Sequence, residues 1–301
     1  MVTNIMTRLA QQTIALPIVV AGRELFSISF RVEPIHGSLT DALGGRAAAL
    51  ARPDLPAGGD GVLVTDLPDP GWRTLSLSED RISYVLRRDV WRYLALTDSY
   101  ERFLEARYSP KTRDAFVQDE ARFCEQFDGQ LDLREYQNPG EVAEFATLVR
   151  QMRAEGVPSA ACDEEVDLTA CADEGVVHGF ILFAHRVPVA YLCLLSRGET
   201  LQYVCSGERE EYRQWSVGAL VHLHAFRRMF ADPHYHFIDF RPGDCKIKRQ
   251  FSNGALRSAT MLHLRRTWRN RLLVWLYDLT APAQSRTPAR PVPDSGRAQL
   301  A

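Results

Sequence analysis

The run VVHGFILFA at 176–184 is followed by PVAYLCLL at 188–195, TLQYVC at 200–205, VGALVHLHAFRRMF at 217–230 and HFIDF at 236–240. The first three segments are short, almost wholly apolar and separated by turn residues, His185-Arg186-Val187 and then Ser196 to Glu199. Such spacing predicts an antiparallel meander. After Gly207 the period changes. Leu220, Leu223, Ala225, Phe226, Met229 and Phe230 recur at helical spacing, one apolar stripe of an amphipathic helix. The strand, helix and strand that end at Phe240 form one crossover unit, so its two strands should run near-parallel. The fold class is therefore α/β (α+β), with a mixed sheet.

Upstream, Leu131 to Tyr136 reads as a strand and Glu141 to Glu155 as an amphipathic helix. Ser109-Pro110 signals a helix start, with Ser at the N-cap and Pro at N1, running to about Phe127 before Gly129. Its Phe116, Phe123 and Phe127 have core spacing. Val62 to Leu67, Ile82 to Arg88 and Ile14 to Ala21 read as strands, and 34–61, rich in Gly, Ala and Pro, as irregular. Downstream, Met261 to Leu264 is a strand and Trp268 to Leu279 a closing helix or strand, with Trp268, Trp275 and Tyr277 in its core. Arg265, Arg266, Arg269 and Arg271 read as a solvated face. Prolines punctuate the chain beyond Ala281, which reads as a disordered tail.

The 301 residues carry 36 Lys+Arg against 38 Asp+Glu, a net charge of −2, and are 46% hydrophobic and 25% charged. That composition supports a soluble core and gives no electrostatic argument for nucleic acid. No segment has the apolar length of a membrane span, and no secretory leader is read at the N-terminus. The six Cys include no C-x-x-C pair. Neither a disulfide framework nor a metal site follows from them, and a reducing cytoplasm is the expected compartment. The acidic stretch 162–174 reads as a solvated loop or helix face, or as an attractor for a cationic substrate.

Two segments carry candidate chemistry. Arg213-Gln214-Trp215-Ser216-Val217-Gly218 precedes the apolar helix. It is either an ordinary capped helix start, with Ser216 as N-cap, or an anion site built on free backbone N–H groups. Asp239-Phe240-Arg241-Pro242-Gly243-Asp244-Cys245-Lys246-Ile247-Lys248-Arg249-Gln250-Phe251 leaves a core strand with two carboxylates and four cations. It is either a site at a strand's carboxyl end or a salt-bridged turn. His222 and His224, two apart on a helix, cannot chelate together.

Val189-Ala190, then Tyr212 to Gly218 ahead of an apolar helix, then Asp239-Phe240-x-x-Gly243-Asp244-x-x-x-Lys248-Arg249-x-Phe251 resembles the CelD-like, cellulose-biosynthesis branch of the GNAT acetyltransferases, related to the FemAB-type transferases. Two positions depart from that pattern: Ile247 stands where the branch has Tyr, and Ser216 where the GNAT phosphate loop has Gly. The resemblance implies a mixed sheet whose third meander strand and Phe237–Phe240 strand splay apart, with a second, degenerate GNAT-like half at the N-terminus. The halves would be 1–130 and 131–281, followed by a tail at 282–301. It implies an acyltransferase that moves an acyl group, by expectation acetyl, from acyl-CoA to an amine or hydroxyl of a small-molecule, glycan or peptide acceptor, with a place in surface-polysaccharide metabolism. The phosphates would meet Arg213, Ser216, Val217, Gly218 and Arg249. Asp244, Lys248 and Asp239 would serve the chemistry, without metal. The alternatives are FemAB-like aminoacyl or peptidyl transfer and a non-catalytic GNAT-like module.

Overall fold

The computed structural model describes residues 7–8, 10–20, 23–45, 51–127, 129–159 and 168–280, so the first part of the acidic stretch, 162–167, and the Pro-rich tail lie outside it. Two compact units form: Met1–Trp91 with Pro242–Asp244 and Ala255–Ala301, and Arg92–Arg241 with Cys245–Gly254. The sequence places a boundary at 130/131, whereas the division falls at 91/92. Packing explains the difference, because Phe103, Phe123 and Phe127 share one core with the meander.

The first unit opens with β1 (Thr7–Arg8), β2 (Gln12–Val20), β3 (Arg23–His36) and a five-residue helix α1 (Leu39–Leu43), inside the stretch expected to be irregular. Ser38 caps α1 by accepting from the Asp41 N–H at 3.1 Å. β4 (Gly61–Pro68), β5 (Leu75–Leu77) and β6 (Arg81–Ala95) follow. β6 runs past the expected end at Arg88 because Trp91 and Leu94 continue its burial. β3 and β4 pair in parallel at five consecutive positions, from Val32–Gly61 to His36–Thr65.

The second unit contains α2 (Tyr100–Arg107), α3 (Pro110–Gln126), β7 (Asp132–Tyr136), α4 (Pro139–Ala154), α5 (Leu168–Asp173), β8 (Val177–Ala184), β9 (Val187–Arg197), β10 (Thr200–Glu208), a 3-10 turn at Glu210–Trp215, α6 (Val217–Ala231), β11 (Phe237–Pro242) and α7 (Lys246–Phe251). Ser109 accepts from the Thr112 N–H, and Pro110 opens α3, as the sequence predicts. Strand order is β11-β10-β9-β8-β7. The meander is antiparallel and the crossover pair β10/β11 parallel. His185 and Arg186 join β8 to β9 with φ of 47° and 66°, the left-handed pair that matches hairpin twist. Phe180, Leu182, Leu192 and Leu194 face α6 and α3, while Ile181, Tyr191 and Cys193 face α4, so helices cover both faces.

The chain returns to the first unit with β12 (Gly254–Arg265) and α8 (Trp268–Thr280). Strand order there is β1-β3-β4-β12-β6, with β2 on β3 and β5 on β6. α8 buries Val274 against Ile18, Phe30, Tyr84 and Leu262. Trp268 and Trp275, expected in the core, are 80% and 55% exposed. The segment is apolar nearly all round, and a helix packed on a sheet can bury only one side. Among the described residues, no helix is long and apolar enough to cross a membrane.

Candidate active site

The site grows from an irregularity in β10. Its register with β9 shifts between Tyr203 and Cys205. Leu201 and Tyr203 pack toward α6, but Val204 and Cys205 both pack toward α4. Two successive residues on one face are a β-bulge. In a regular strand, positions 203 and 206 would point to opposite faces. The bulge brings them together, with the Tyr203 hydroxyl 2.6 Å from Ser206 Oγ. Pairing of β10 with β11 covers Thr200–Gln202 against Phe237–Asp239 and goes no further. Next to that opening lies a cavity of about 590 Å³, whose lining includes Phe116, Ser206, Glu208, Gly218, His222 and Gln250.

His222 is the most constrained group on this wall. It is 2% exposed. Its ring lies 4.7 Å from that of Phe251 at an interplanar angle of 7°. Nδ1 stands 2.6 Å from the Gly218 carbonyl oxygen, which only accepts, so Nδ1 carries the hydrogen. Burial pushes the imidazole pKa down to about 4, so the ring is neutral near pH 7. Nε2 is then an acceptor, 3.1 Å from the Tyr203 hydroxyl. Tyr203 has one proton for two neighbours. It donates to Ser206, or it turns to His222 and receives the Ser206 proton in exchange. Ser206, Tyr203 and His222 thus form a chain along which a proton can move from the cavity wall to a buried base.

The start of α6 is occupied from within. Glu208 Oε2 accepts from the Gly218 N–H at 2.9 Å, and Arg213 Nε donates to Glu208 Oε1 at 3.2 Å. Arg213 also meets Glu210 at 3.5 Å. A helix N-terminus favours a negative group, and here a side-chain carboxylate supplies it. A Cβ on Gly218 would overlap that carboxylate. Ser216 does precede the helix, but its side chain does not cap it. It sits at φ 55°, ψ 33°, a left-handed conformation that favours glycine, and its Oγ donates to Asp119 at 2.5 Å. Val217 is fully buried.

The residues expected from the 239–251 motif separate. Lys246, Ile247, Gln250 and Phe251 of α7 line the cavity, whereas Lys248 and Arg249 do not. Lys248 is buried, and its Nζ donates to the Arg241 carbonyl at 3.1 Å. Asp239 is buried and accepts from the Arg241 N–H at 2.7 Å. Both groups grip the turn at Arg241, whose φ is 61°. Asp244 and Arg249 are exposed. Arg113, in the first turn of α3, meets Glu105 at 3.6 Å. Ser206, Tyr203, His222 and Glu208 are the groups that sequence reasoning missed as a set. Ser-Gly-Glu at the exit of a buried strand, ten residues before Gly218, is the signal that points to them. Among the described residues, no cluster of His, Cys, Asp or Glu could hold a metal.

Residues 111–249 match a family model described as an acetyltransferase (GNAT) domain. No curated protein matches the chain in sequence. Among solved structures, the chain is similar to the C-terminal domain (DUF2156) of a putative lysylphosphatidylglycerol synthetase from Agrobacterium fabrum, at 10% identity over 83% of this chain and 84% of that one, TM-score 0.47. It is also similar to FemX, at 10% identity over 90% and 91%, TM-score 0.45, and to a GCN5-related N-acetyltransferase from Kribbella flavida, at 11% identity over 85% and 89%, TM-score 0.38. The stretch that matches this acetyltransferase (GNAT) domain model, 111–249, carries β10 and α6, the two elements that border the cavity.

Proposed function

We propose that the second unit transfers an acyl group from an acyl-CoA thioester to an amine or hydroxyl acceptor in the cavity beside β10. The observation that carries this reading is the bulge at Tyr203–Cys205, which frees the end of β10 from β11 and turns Ser206 into the cavity. A thioester laid along that edge would present its carbonyl to strand backbone, whose N–H groups stabilise a developing oxyanion. The acceptor attacks the carbonyl carbon and the C–S bond breaks. The acceptor's proton passes to Ser206 as Tyr203 delivers one to His222, and the reverse movement returns it to the departing thiolate.

Aminoacyl or peptidyl transfer of the FemAB kind is the second reading, and Glu208 favours it. Its carboxylate holds the Gly218 N–H that a CoA diphosphate would approach. Titration calorimetry with CoA, on the parent protein and on Glu208→Ala, separates the two. The acyl-CoA reading expects CoA to bind the parent; at 100 times its Kd, a ligand raises stability by about 2.7 kcal/mol. Binding seen only in Glu208→Ala supports a donor that lacks a diphosphate here. Absence of binding to either protein overturns the acyl-CoA reading.

A further inference from the structure

α8 has two apolar faces. One packs on the first unit through Leu273, Val274, Leu276 and Tyr277. On the other, Trp268, Leu272, Trp275 and Leu279 are 80, 48, 55 and 58% exposed. Their spacing of four, three and four residues draws a straight stripe, the pattern of a two-helix seam. Beside it runs a groove of about 380 Å³, lined by Leu75, Leu77, Ile82 and three residues of the stripe, Trp268, Leu272 and Trp275, with Arg271 at its side. Ridge and groove share one surface, which can therefore complement a copy of itself.

Other occupants fit less well. Residues 281–301 hold only Val292 and Leu300 as large aliphatics, among prolines and arginines. A helix lying in a lipid interface presents a charged face opposite its apolar one, and the opposite face of α8 is core. With two copies antiparallel, Trp268 meets Leu279 of the partner subunit and Leu272 meets Trp275 of the partner subunit.

We propose that this face of α8 is the seam of a two-fold symmetric homodimer. With a Trp side chain contributing ~150–250 Å² when buried, the stripe and Leu77 expose on the order of 500 Å² per copy, near the top of the range for a monomer's largest patch. Two such faces meet over about 1,000 Å², the lower edge of a specific interface, so the dimer should be weak and concentration-dependent.

Sedimentation velocity of the full chain, from about 1 to about 200 µM, tests this by mass action. The weight-average mass should climb from 34.0 kDa toward twice that value. Leu272→Glu should raise the dimer Kd at least ~10-fold, with an unchanged melting temperature at low concentration. Leu279→Gln, in the last turn, should act in the same direction if Leu272→Glu melts early. Val117→Ser, at an exposed position of α3, should change nothing. A parent protein that stays monomeric throughout overturns the proposal. So does a dimer that ignores both leucine variants, or a monomer that instead floats with phosphatidylcholine/phosphatidylglycerol vesicles.

Discussion

Each unit of this chain contains a parallel strand pair, and the two pairs behave differently. In the first unit, β3 and β4 stay in register over Val32–His36 against Gly61–Thr65, and the Thr65 hydroxyl meets His36 Nδ1 at 2.7 Å. In the second, β10 and β11 part after three residues, at Gln202 and Asp239. Hydrophobicity does not separate them, since both pairs are lined by buried aliphatics. The difference is a single extra residue in β10, which turns a ladder into a wall. A sheet spends its backbone hydrogen bonds on itself unless something interrupts the pairing. The histidines repeat the contrast. His263 in the first unit is wholly buried, with Nδ1 on Ser83 Oγ at 2.9 Å and, among the described residues, no partner at Nε2. His222 engages both ring nitrogens and borders a cavity.

The largest effect should come from spoiling the closed pair. A Cβ at Gly61 would run into the His263 carbonyl and lie 2.8 Å from Leu264 Cα, backbone atoms that cannot swing aside. Gly61→Ala should cost about 3–5 kcal/mol in denaturant unfolding; a loss under ~1 kcal/mol would mean that β4 and β12 slide freely. Next comes the open pair. If Ser206 handles the acceptor's proton, Ser206→Ala should lower kcat/KM by about 10²-fold in an acyl-CoA thiol-release assay, with little change in melting. Tyr203→Phe should do the same, and the double variant should lose scarcely more. Normal turnover by Ser206→Ala would remove the relay. The smallest effect is a pH slope. Burial lowers both His222 and His263 to about 4, from an unfolded value near 6.5. Each contributes its full stability above pH 6.5. On acidification from there toward pH 4, the unfolded chain takes up protons that the folded one refuses. Urea unfolding at pH 7, 6 and 5 should show stability falling by at most about 1.4 kcal/mol per pH unit per histidine. His263→Asn should flatten that slope without touching turnover, and an unchanged slope would place the titration elsewhere.

Much of the second unit was legible because its signals are local. Ser109-Pro110 starts a helix by capping and a fixed φ, the His185–Arg186 turn follows from hairpin spacing, and the α6 stripe has helical period. The bulge was not legible. A phase slip shows only where polar and apolar residues alternate, yet Tyr203, Val204, Cys205 and Ser206 are all buried. A strand covered on both faces has no polar beat to lose. Lys248 was ambiguous for a related reason: charge after a core strand marks either a site or a turn, and the sequence does not give the direction of its side chain. Glu208 was invisible as a cap because it reaches Gly218 through space, from the far side of a 3-10 turn. The exposed Trp pair of α8 could not be told from core in a segment without a polar face.

The bulge in β10 also bears on which kinds of genetic change this fold can absorb. Residues before Val204 and after Cys205 keep opposite parity, so the wall of the cavity depends on chain length as much as on side-chain identity. Point substitutions leave that parity alone. Loss of one codon within 203–206 would restore even alternation and swing Ser206 and Glu208 to the other side of the sheet. The hairpin tip at His185–Arg186 lies outside this constraint, and length variation has its natural outlet there.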